Sequence, residues 1–193
     1  MKKSNFLFFD TETTGLIRNW KAPLSDLDNW PRIVQIAWGL FDKRGGLISR
    51  ESYIIKPSGF VIPQDAVRIH GITTKRALAE GYPLLDILTK FSAAVDEAEC
   101  IVAHNISFDE KIVEAEYFRE NIVHNLFKKE RICTMKAATD FCHIPGSYGY
   151  KWPNLSELHY ALFNEPYQET HEASKDMEIC AKCFFALKKK RII

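Results

Sequence analysis

The 193-residue sequence lacks both an excess of one charge and any long apolar run. Its 26 Lys and Arg residues are balanced by 25 Asp and Glu residues, so the formal net charge is only +1. This balance excludes the strongly basic kind of nucleic-acid-binding domain, whose charge alone would reveal it. It does not exclude nucleic acid as a substrate, because charge can be concentrated locally. No apolar run approaches the roughly 20 residues of a membrane-spanning helix, so we expect no membrane partner.

A signal peptide and a disulfide framework are also missing. Only four apolar residues, Phe6 to Phe9, precede Asp10, and a signal peptide needs a longer apolar region. The five cysteines are an odd and scattered set, which is typical of reduced thiols in a cytoplasmic protein. Cys180 and Cys183 form a CxxC pair, but no second ligand pair accompanies it, which favours buried thiols over a structural zinc site.

What the sequence does contain is the composition of a globular domain. Hydrophobic residues make up 46% and charged residues 26%, values that are ordinary for a soluble protein. No repeat, linker or low-complexity tract divides the chain, so we predict a single domain over residues 1–193. Strands come first and then alternate with helices, which predicts an α/β fold with a mixed sheet.

Apolar periodicity predicts the order of the elements. Strands are expected over residues 5–9, 32–41, 47–55, 100–103 and 131–133. The second and third are joined by a short glycine-containing turn, which predicts a hairpin, and the alternation in the second predicts one better-buried face. Helices are expected over residues 63–69, 73–79, 108–123, 155–163 and 173–187, with one more after Pro83 and another between 133 and 142.

Asp10 and Glu12 directly follow the first predicted strand. They are two residues apart on an extended chain, so their side chains point to the same face. Two carboxylates on one face repel each other unless a cation lies between them, and Mg2+ prefers oxygen ligands of this kind. The alternative is a solvated turn capped by Thr13 or Thr14. A carboxylate pair joined to a short aromatic strand favours the metal site.

Two further acids stand at the boundaries of elements. Asp109 begins a helix after the strand that ends at His104 and Asn105, where it could equally serve as a helix cap. Asp176 follows His171 by five residues, and on one continuous helix the two would be about 140° apart. We therefore expect His171 in a loop or first turn, leaning towards the site that Asp176 faces. Alone, an exposed His and a solvated Asp would be the commoner interpretation.

Together these segments resemble the motifs of the DEDDh 3′–5′ exonucleases. This is the superfamily of the proofreading epsilon subunit of bacterial replicative polymerase and of ribonuclease T. Its first motif, DxE followed by TTGL, matches residues 10–16, its second, HNxxFD, matches 104–109, and its third, HxAxxD, matches 171–176. Three motifs in the right order, spread over nearly the whole chain, make the resemblance specific.

The resemblance implies a fold and a set of catalytic residues. The fold is ribonuclease H-like, with a five-stranded mixed sheet flanked by helices. Asp10, Glu12, Asp109 and Asp176 correspond to the metal-site acids, and His171 corresponds to the general base. Two divalent cations, Mg2+ or Mn2+, about 3.5–4 Å apart can stabilise both the attacking and the leaving oxygen in phosphodiester cleavage. A neutral imidazole can take a proton from the attacking water near neutral pH.

The resemblance also implies residues that contact the substrate. In the family they come from the turn after the first motif, from an HGI element that matches residues 70–72 here, and from the second motif. These predicted substrate-binding residues are Thr11, Thr13, Leu16, Asp65, His70 and Asn105. Asp65 stands where the epsilon subunit has Glu, which weakens the prediction that Asp65 contacts the substrate. His70, followed by Gly71, could equally mark a plain break between two helices.

The implied activity is that of a metal-dependent 3′–5′ exonuclease. It would release nucleoside 5′-monophosphates from single-stranded or frayed ends, with DNA favoured over RNA, in proofreading or repair. Its implied partners are nucleic acid and a polymerase or another replication or repair protein. Two alternatives stay open: an exoribonuclease acting on short RNA, and a catalytically silent module that binds nucleic acid or a polymerase. The presence of all five key residues favours an active enzyme.

Two segments have no role that the sequence defines. Residues 148–152 combine aromatic side chains with a cation, which suits single-stranded nucleic acid. They could equally form a lid that packs on the core. Residues 20–30, with a Trp at each end, form an insertion between the first two strands.

Overall fold

The structure is a computed structural model that describes residues 5–193. Residues 1–4, part of the segment that carries the prediction of no signal peptide, lie outside the described residues. The strands are β1 (Phe6–Thr13), β2 (Ile33–Phe41), β3 (Leu47–Ile54), β4 (Cys100–Ala103), β5 (Glu130–Cys133), β6 (Pro145–Gly146) and β7 (Gly149–Tyr150). The first five form one sheet in the order β3–β2–β1–β4–β5, which confirms the predicted ribonuclease H-like sheet.

Strand β1 lies at the centre of this mixed sheet. It pairs antiparallel with β2 and parallel with β4, and β4 in turn pairs parallel with β5. Strands β2 and β3 form the predicted antiparallel hairpin. Because β1 and β4 run in the same direction, the residues that end β1 and those that follow β4 meet at one edge of the sheet.

Eight α-helices accompany the strands in the described part of the chain. They are α1 (Gln64–His70), α2 (Thr74–Glu80), α3 (Leu84–Glu97), α4 (Ile106–Arg119), α5 (Thr134–Ala137), α6 (Thr139–Cys142), α7 (Leu155–Phe163) and α8 (Ala173–Lys189). Their positions agree with the predicted helices, except that the one expected before residue 142 is divided into α5 and α6. The helix expected over 108–123 begins and ends earlier, as α4.

Helices cover both faces of the sheet. Phe9 of β1 packs against Phe91 of α3 on one face, and Phe8 packs against Phe184 of α8 on the other. A strand buried on both faces has no solvent-facing positions, which explains the continuous apolar run at the start of β1.

Strand β2 differs from its prediction. Eight of its nine residues are buried, whereas alternation predicted only one better-buried face. The second face is covered by α8, whose Met177 approaches Gly39 so closely that a Cβ there would lie 3.1 Å from the Met177 sulfur. Alternating side-chain size along β2 therefore reflects helix packing and not exposure to water.

Three smaller findings concern the remaining predictions. The segment that contains the aromatic residues 148–152 includes a short two-stranded hairpin, β6–β7. Cys180 and Cys183 are buried free thiols inside α8, as predicted. Within residues 5–193, no helix has the length and apolar character needed to cross a membrane.

Candidate active site

Asp10 and Glu12 lie within β1, which continues three residues beyond Asp10. Alternation along the strand places both side chains on the same face as Phe8, the face that α8 covers. Glu12 is only 9% exposed and Asp10 is half-buried. The two carboxylates therefore point from the central strand towards the first turn of α8.

Asp109 is brought to the same edge by α4, which begins three residues after the last residue of β4. Its side chain is 4% exposed. The backbone N–H and the hydroxyl of Thr11 both donate to its Oδ1, at 3.0 Å and 2.7 Å. Asn105 occupies the cap position in a left-handed conformation. Asp109 is therefore held by β1, 98 residues away in sequence, and does not cap its own helix.

Asp176 and His171 complete the cluster from the other side. Asp176 lies in the first turn of α8 and is 7% exposed, while His171 lies in the preceding loop with a φ of +50°. The Tyr167 hydroxyl donates to Oδ1 of Asp176 at 2.5 Å. Ligand atoms of Glu12, His171 and Asp176 all lie within 4.8 Å of one another. The loop position expected for His171 is thus observed.

The pKa values of all four acids are raised, and burial is the first cause in each case. Burial, with repulsion from the neighbouring acids, raises the pKa of Glu12 to about 8. Burial raises the pKa of Asp109 to about 7, although the Thr11 hydrogen bonds oppose this. The pKa of Asp10 lies well above its usual range, because burial is reinforced by repulsion from the other three acids.

Buried carboxyl groups this close together can all be ionised only beside positive charge. Within residues 5–193, none of the four acids forms an ion pair with a Lys or Arg. The site offers several carboxylate oxygens and one imidazole, and hard divalent cations prefer oxygen ligands. The residues present therefore fit a divalent cation site better than a structural cluster.

Two residues of this site carry no recognisable sequence signal. Glu169 accepts a hydrogen bond from the Ser156 N–H at 3.1 Å and raises the pKa of Asp10, Glu12 and Asp176 through its charge. Tyr167, whose hydroxyl donates to Asp176, lies two residues before Glu169. Both stand in an irregular loop outside the three motifs. Only the folded loop reveals that they adjoin the acids.

The predicted substrate-binding residues of the first motif are divided between two environments. Thr11 is buried and both of its donors are directed to Asp109. The Thr13 hydroxyl donates to the carbonyl of Gly15 at 2.7 Å and so closes the turn after β1. Leu16 is 82% exposed at the tip of that turn. Of the three, Leu16 is the side chain available to an incoming molecule.

His70 lies beside the site and Asp65 does not join it. His70 ends α1, where Gly71 with a φ of +73° stops the helix. Burial lowers the pKa of His70, and the nearby His171 lowers it further, so the two imidazoles face the same region. Asp65 lies in the first turn of α1, 86% exposed, and pairs with Arg68. The structure thus places His70 near His171 and the backbone of Thr13, and leaves Asp65 in solvent.

The comparisons with known proteins agree with this arrangement. The exonuclease family model (RNase T) matches residues 7–184, which contain all three motifs. The chain belongs to the exonuclease family. This confirms the resemblance to the DEDDh superfamily that the motifs indicated.

Among exonuclease relatives, the PolC-type DNA polymerase III of Mycoplasmopsis pulmonis (strain UAB CTIP) is 28% identical over 117 residues. The match covers 61% of this chain and 7% of the polymerase. The similarity is therefore confined to a small part of that large protein.

Solved exonuclease structures share the fold. An exonuclease I structure superposes with a TM-score of 0.78 at 20% identity, covering 98% of this chain and 42% of that one. E. coli exonuclease I in complex with a dA16 oligonucleotide gives 0.77 at 20% identity, with the same coverage. A zinc-bound form of the E. coli enzyme with single-stranded DNA gives 0.78 at 21%, also with the same coverage. This chain thus spans less than half the length of these neighbours.

Proposed function

We propose that residues 1–193 act as a single exonuclease domain that degrades single-stranded or frayed DNA from its 3′ end. The products would be nucleoside 5′-monophosphates. The observation that carries this proposal is the convergence of three buried acids and the half-buried Asp10 with His171 at one edge of the sheet, without a Lys or Arg counter-ion in the described residues. Family membership supports nuclease chemistry at this site.

Asp10, Glu12, Asp109 and Asp176 would hold two divalent cations, Mg2+ or Mn2+. Bound there, such cations supply the positive charge that stabilises the attacking and leaving oxygens of a phosphodiester. The chain's own contribution is to fix the acids. Thr11 orients Asp109 and Tyr167 orients Asp176, so that their oxygens face the shared space. Such orienting partners of ligands typically matter by about 10- to 100-fold in metal affinity or activity.

His171 would act as the general base. Its imidazole is exposed, and one of its ring nitrogens lies within 4.8 Å of carboxylate oxygens of Glu12 and Asp176. A ring nitrogen can therefore accept a proton from the attacking water beside the acids. The oxygen of that water would bond to phosphorus as the P–O3′ bond breaks, and the leaving 3′ oxygen would take a proton from solvent. Catalysis of this kind contributes about 10²- to 10⁴-fold.

The proposed preference for single-stranded DNA is supported by what the structural neighbours bind. Exonuclease I, which shares the fold, is known in complex with dA16 and dT13 oligonucleotides. The similarity to a PolC-type polymerase supports a partner from replication or repair. The five free cysteines suit the reducing cytoplasm in which we propose that the enzyme acts.

The test is digestion of oligonucleotides labelled at one end. A 5′-labelled single-stranded DNA should shorten one nucleotide at a time, and a 3′-labelled one should release its label as a mononucleotide from the first time point. Both reactions should require Mg2+ or Mn2+ and stop with EDTA. RNA and blunt duplex DNA should be digested more slowly.

Three other results of this digestion would contradict the proposal. Early release of a 5′ label would overturn the direction. Faster digestion of short RNA than of DNA would support the exoribonuclease. No digestion of any substrate by folded, metal-loaded protein would support a module that only binds.

A further inference from the structure

The segment that follows α6 carries large aromatic side chains that are exposed and not packed in the core. We define the aromatic hairpin as residues 145–152, which contain β6, β7 and the residues up to Trp152. Tyr148 is fully exposed at 103% and Trp152 is 60% exposed, while Tyr150 packs edge-on against His143 at 4.5 Å. The hairpin is therefore not a lid packed on the core. Exposed aromatic side chains on one short hairpin offer stacking surfaces for unpaired bases.

The hairpin is fastened to the edge of the sheet that carries the acids. Nε2 of His104 donates to the carbonyl of Pro153 at 3.0 Å, and its Nδ1 hydrogen-bonds with the Thr134 hydroxyl at 3.0 Å. His104 directly follows β4 and stands five residues before Asp109. The base of the aromatic hairpin is thus fixed next to the second motif.

A cation lies between the hairpin and that motif. Lys136 Nζ is 5.8 Å from the centre of the Trp152 ring and 3.5 Å from the hydroxyl of Ser107, two residues before Asp109. No carboxylate among residues 5–193 forms an ion pair with it. Lys151, by contrast, is neutralised by Glu157 at 2.6 Å. Lys136 therefore offers a positive charge to an external anion.

We propose that the aromatic hairpin binds the single strand behind the nucleotide being removed. Tyr148 and Trp152 stack on unpaired bases, and Lys136 binds a phosphate of the same strand. Exposed aromatic rings beside a cation without an acidic partner match the alternation of bases and phosphates in a single strand. Paired bases inside a duplex do not expose their faces, so the hairpin selects single-stranded or frayed ends. This inference rests on the proposed nuclease function.

The experiment measures binding, so that it stays separate from catalysis. Fluorescence anisotropy gives the Kd of labelled single strands of 2, 4, 8 and 20 thymidines, in EDTA so that none is digested. Tyr148→Ala/Trp152→Ala should raise the Kd of the 20-mer by about tenfold or more. The difference from the unaltered protein should grow with strand length. Lys136→Gln should raise the Kd and flatten its dependence on salt.

Matched control variants come from distant surfaces. Phe118→Ala removes an exposed aromatic from α4, and Lys43→Gln removes an exposed cation from the β2–β3 turn at the other end of the sheet. Neither should change the Kd. Equal Kd values for the hairpin variants and the unaltered protein would overturn the inference, even if DNA is digested. Binding that depends on the hairpin, together with no digestion in the separate Mg2+ assay, would sustain single-strand binding by the hairpin and overturn the nuclease function.

Discussion

Thr11 donates two hydrogen bonds to one oxygen of Asp109, from its backbone N–H at 3.0 Å and from its hydroxyl at 2.7 Å. This contact joins the central strand to α4 and fixes the acid of the second motif against the acids of the first. The residue between the two acids of the first motif therefore has a structural role. Its backbone and its side chain serve the same oxygen.

Thr11→Val keeps the shape and the backbone donor but removes the hydroxyl. Asp109 should then hold its proton more tightly and bind cations more weakly, because one hydrogen bond that opposes its raised pKa is lost. We expect the Mg2+ concentration for half-maximal activity to rise about tenfold or more. Thr89→Val, on the exposed side of α3, is the control. An unchanged Mg2+ requirement would show that the hydroxyl does not orient the acid.

Tyr167→Phe tests the orientation of Asp176. The ring can stay packed 5.5 Å from the ring of His159, while the hydroxyl that donates to Asp176 is lost. We expect kcat to fall about tenfold at limiting Mg2+ and to recover partly at high Mg2+, with KM for the oligonucleotide unchanged. Tyr160→Phe, exposed on α7, should have no effect. A change in KM alone would assign Tyr167 to substrate binding instead.

The stability of the metal-free protein should fall as pH rises from about 5 to 8. Burial and repulsion raise the pKa of Glu12 from 4.5 to about 8, so within this window the unfolded chain has released a proton that the folded chain retains. The free energy of unfolding should decrease by an amount on the order of 3 kcal/mol. Urea unfolding in EDTA at several pH values measures it.

Adding Mg2+ at pH 8 should restore that stability, because a cation replaces the proton as the partner of the acids. In Asp10→Asn the loss with rising pH should be smaller, since one acid with a raised pKa is gone. Stability that increases over this pH range in EDTA would contradict the assigned electrostatics.

Glu116 should be important for stability and not for catalysis. Its side chain is 1% exposed and accepts hydrogen bonds from the Arg32 guanidinium at 2.9 Å and the Ile33 N–H at 3.0 Å. Glu116→Gln should cost about 3 kcal/mol in the free energy of unfolding, because a buried ion pair loses one charge. Glu80→Gln removes an exposed pair with Arg76 and should cost about 0.5 kcal/mol or less. Urea unfolding of both variants distinguishes a buried pair from a surface one.

The sequence predicts those parts of the fold that depend on local periodicity. Alternation in an extended chain places Asp10 and Glu12 on one face wherever the strand lies. The boundaries of β4 and α7 follow from short apolar runs between polar ends and agree with the structure. The burial of both faces of β2 could not be predicted from local periodicity. It depends on which helices cover the strand, and that information is tertiary.

The orienting residues of the site were beyond sequence reasoning for a similar reason. Tyr167 and Glu169 reach the acids only because an irregular loop between α7 and α8 folds back over the sheet edge. Thr11 was predicted to line a substrate because of its place in a motif, whereas its buried environment directs it to Asp109. Asp65 was also predicted to contact substrate from its place near the HGI element, but its side chain faces solvent and pairs with Arg68.

The most direct test of the central claim is the rate of Mg2+-dependent nucleotide release from 3′-labelled single-stranded DNA by Asp10→Asn. This variant removes one charge from the buried cluster and keeps nearly the same shape. The account predicts that release becomes undetectable, while circular dichroism and the urea midpoint in EDTA show a folded protein of equal or greater stability. Release at the rate of the unaltered protein would contradict the four-acid site.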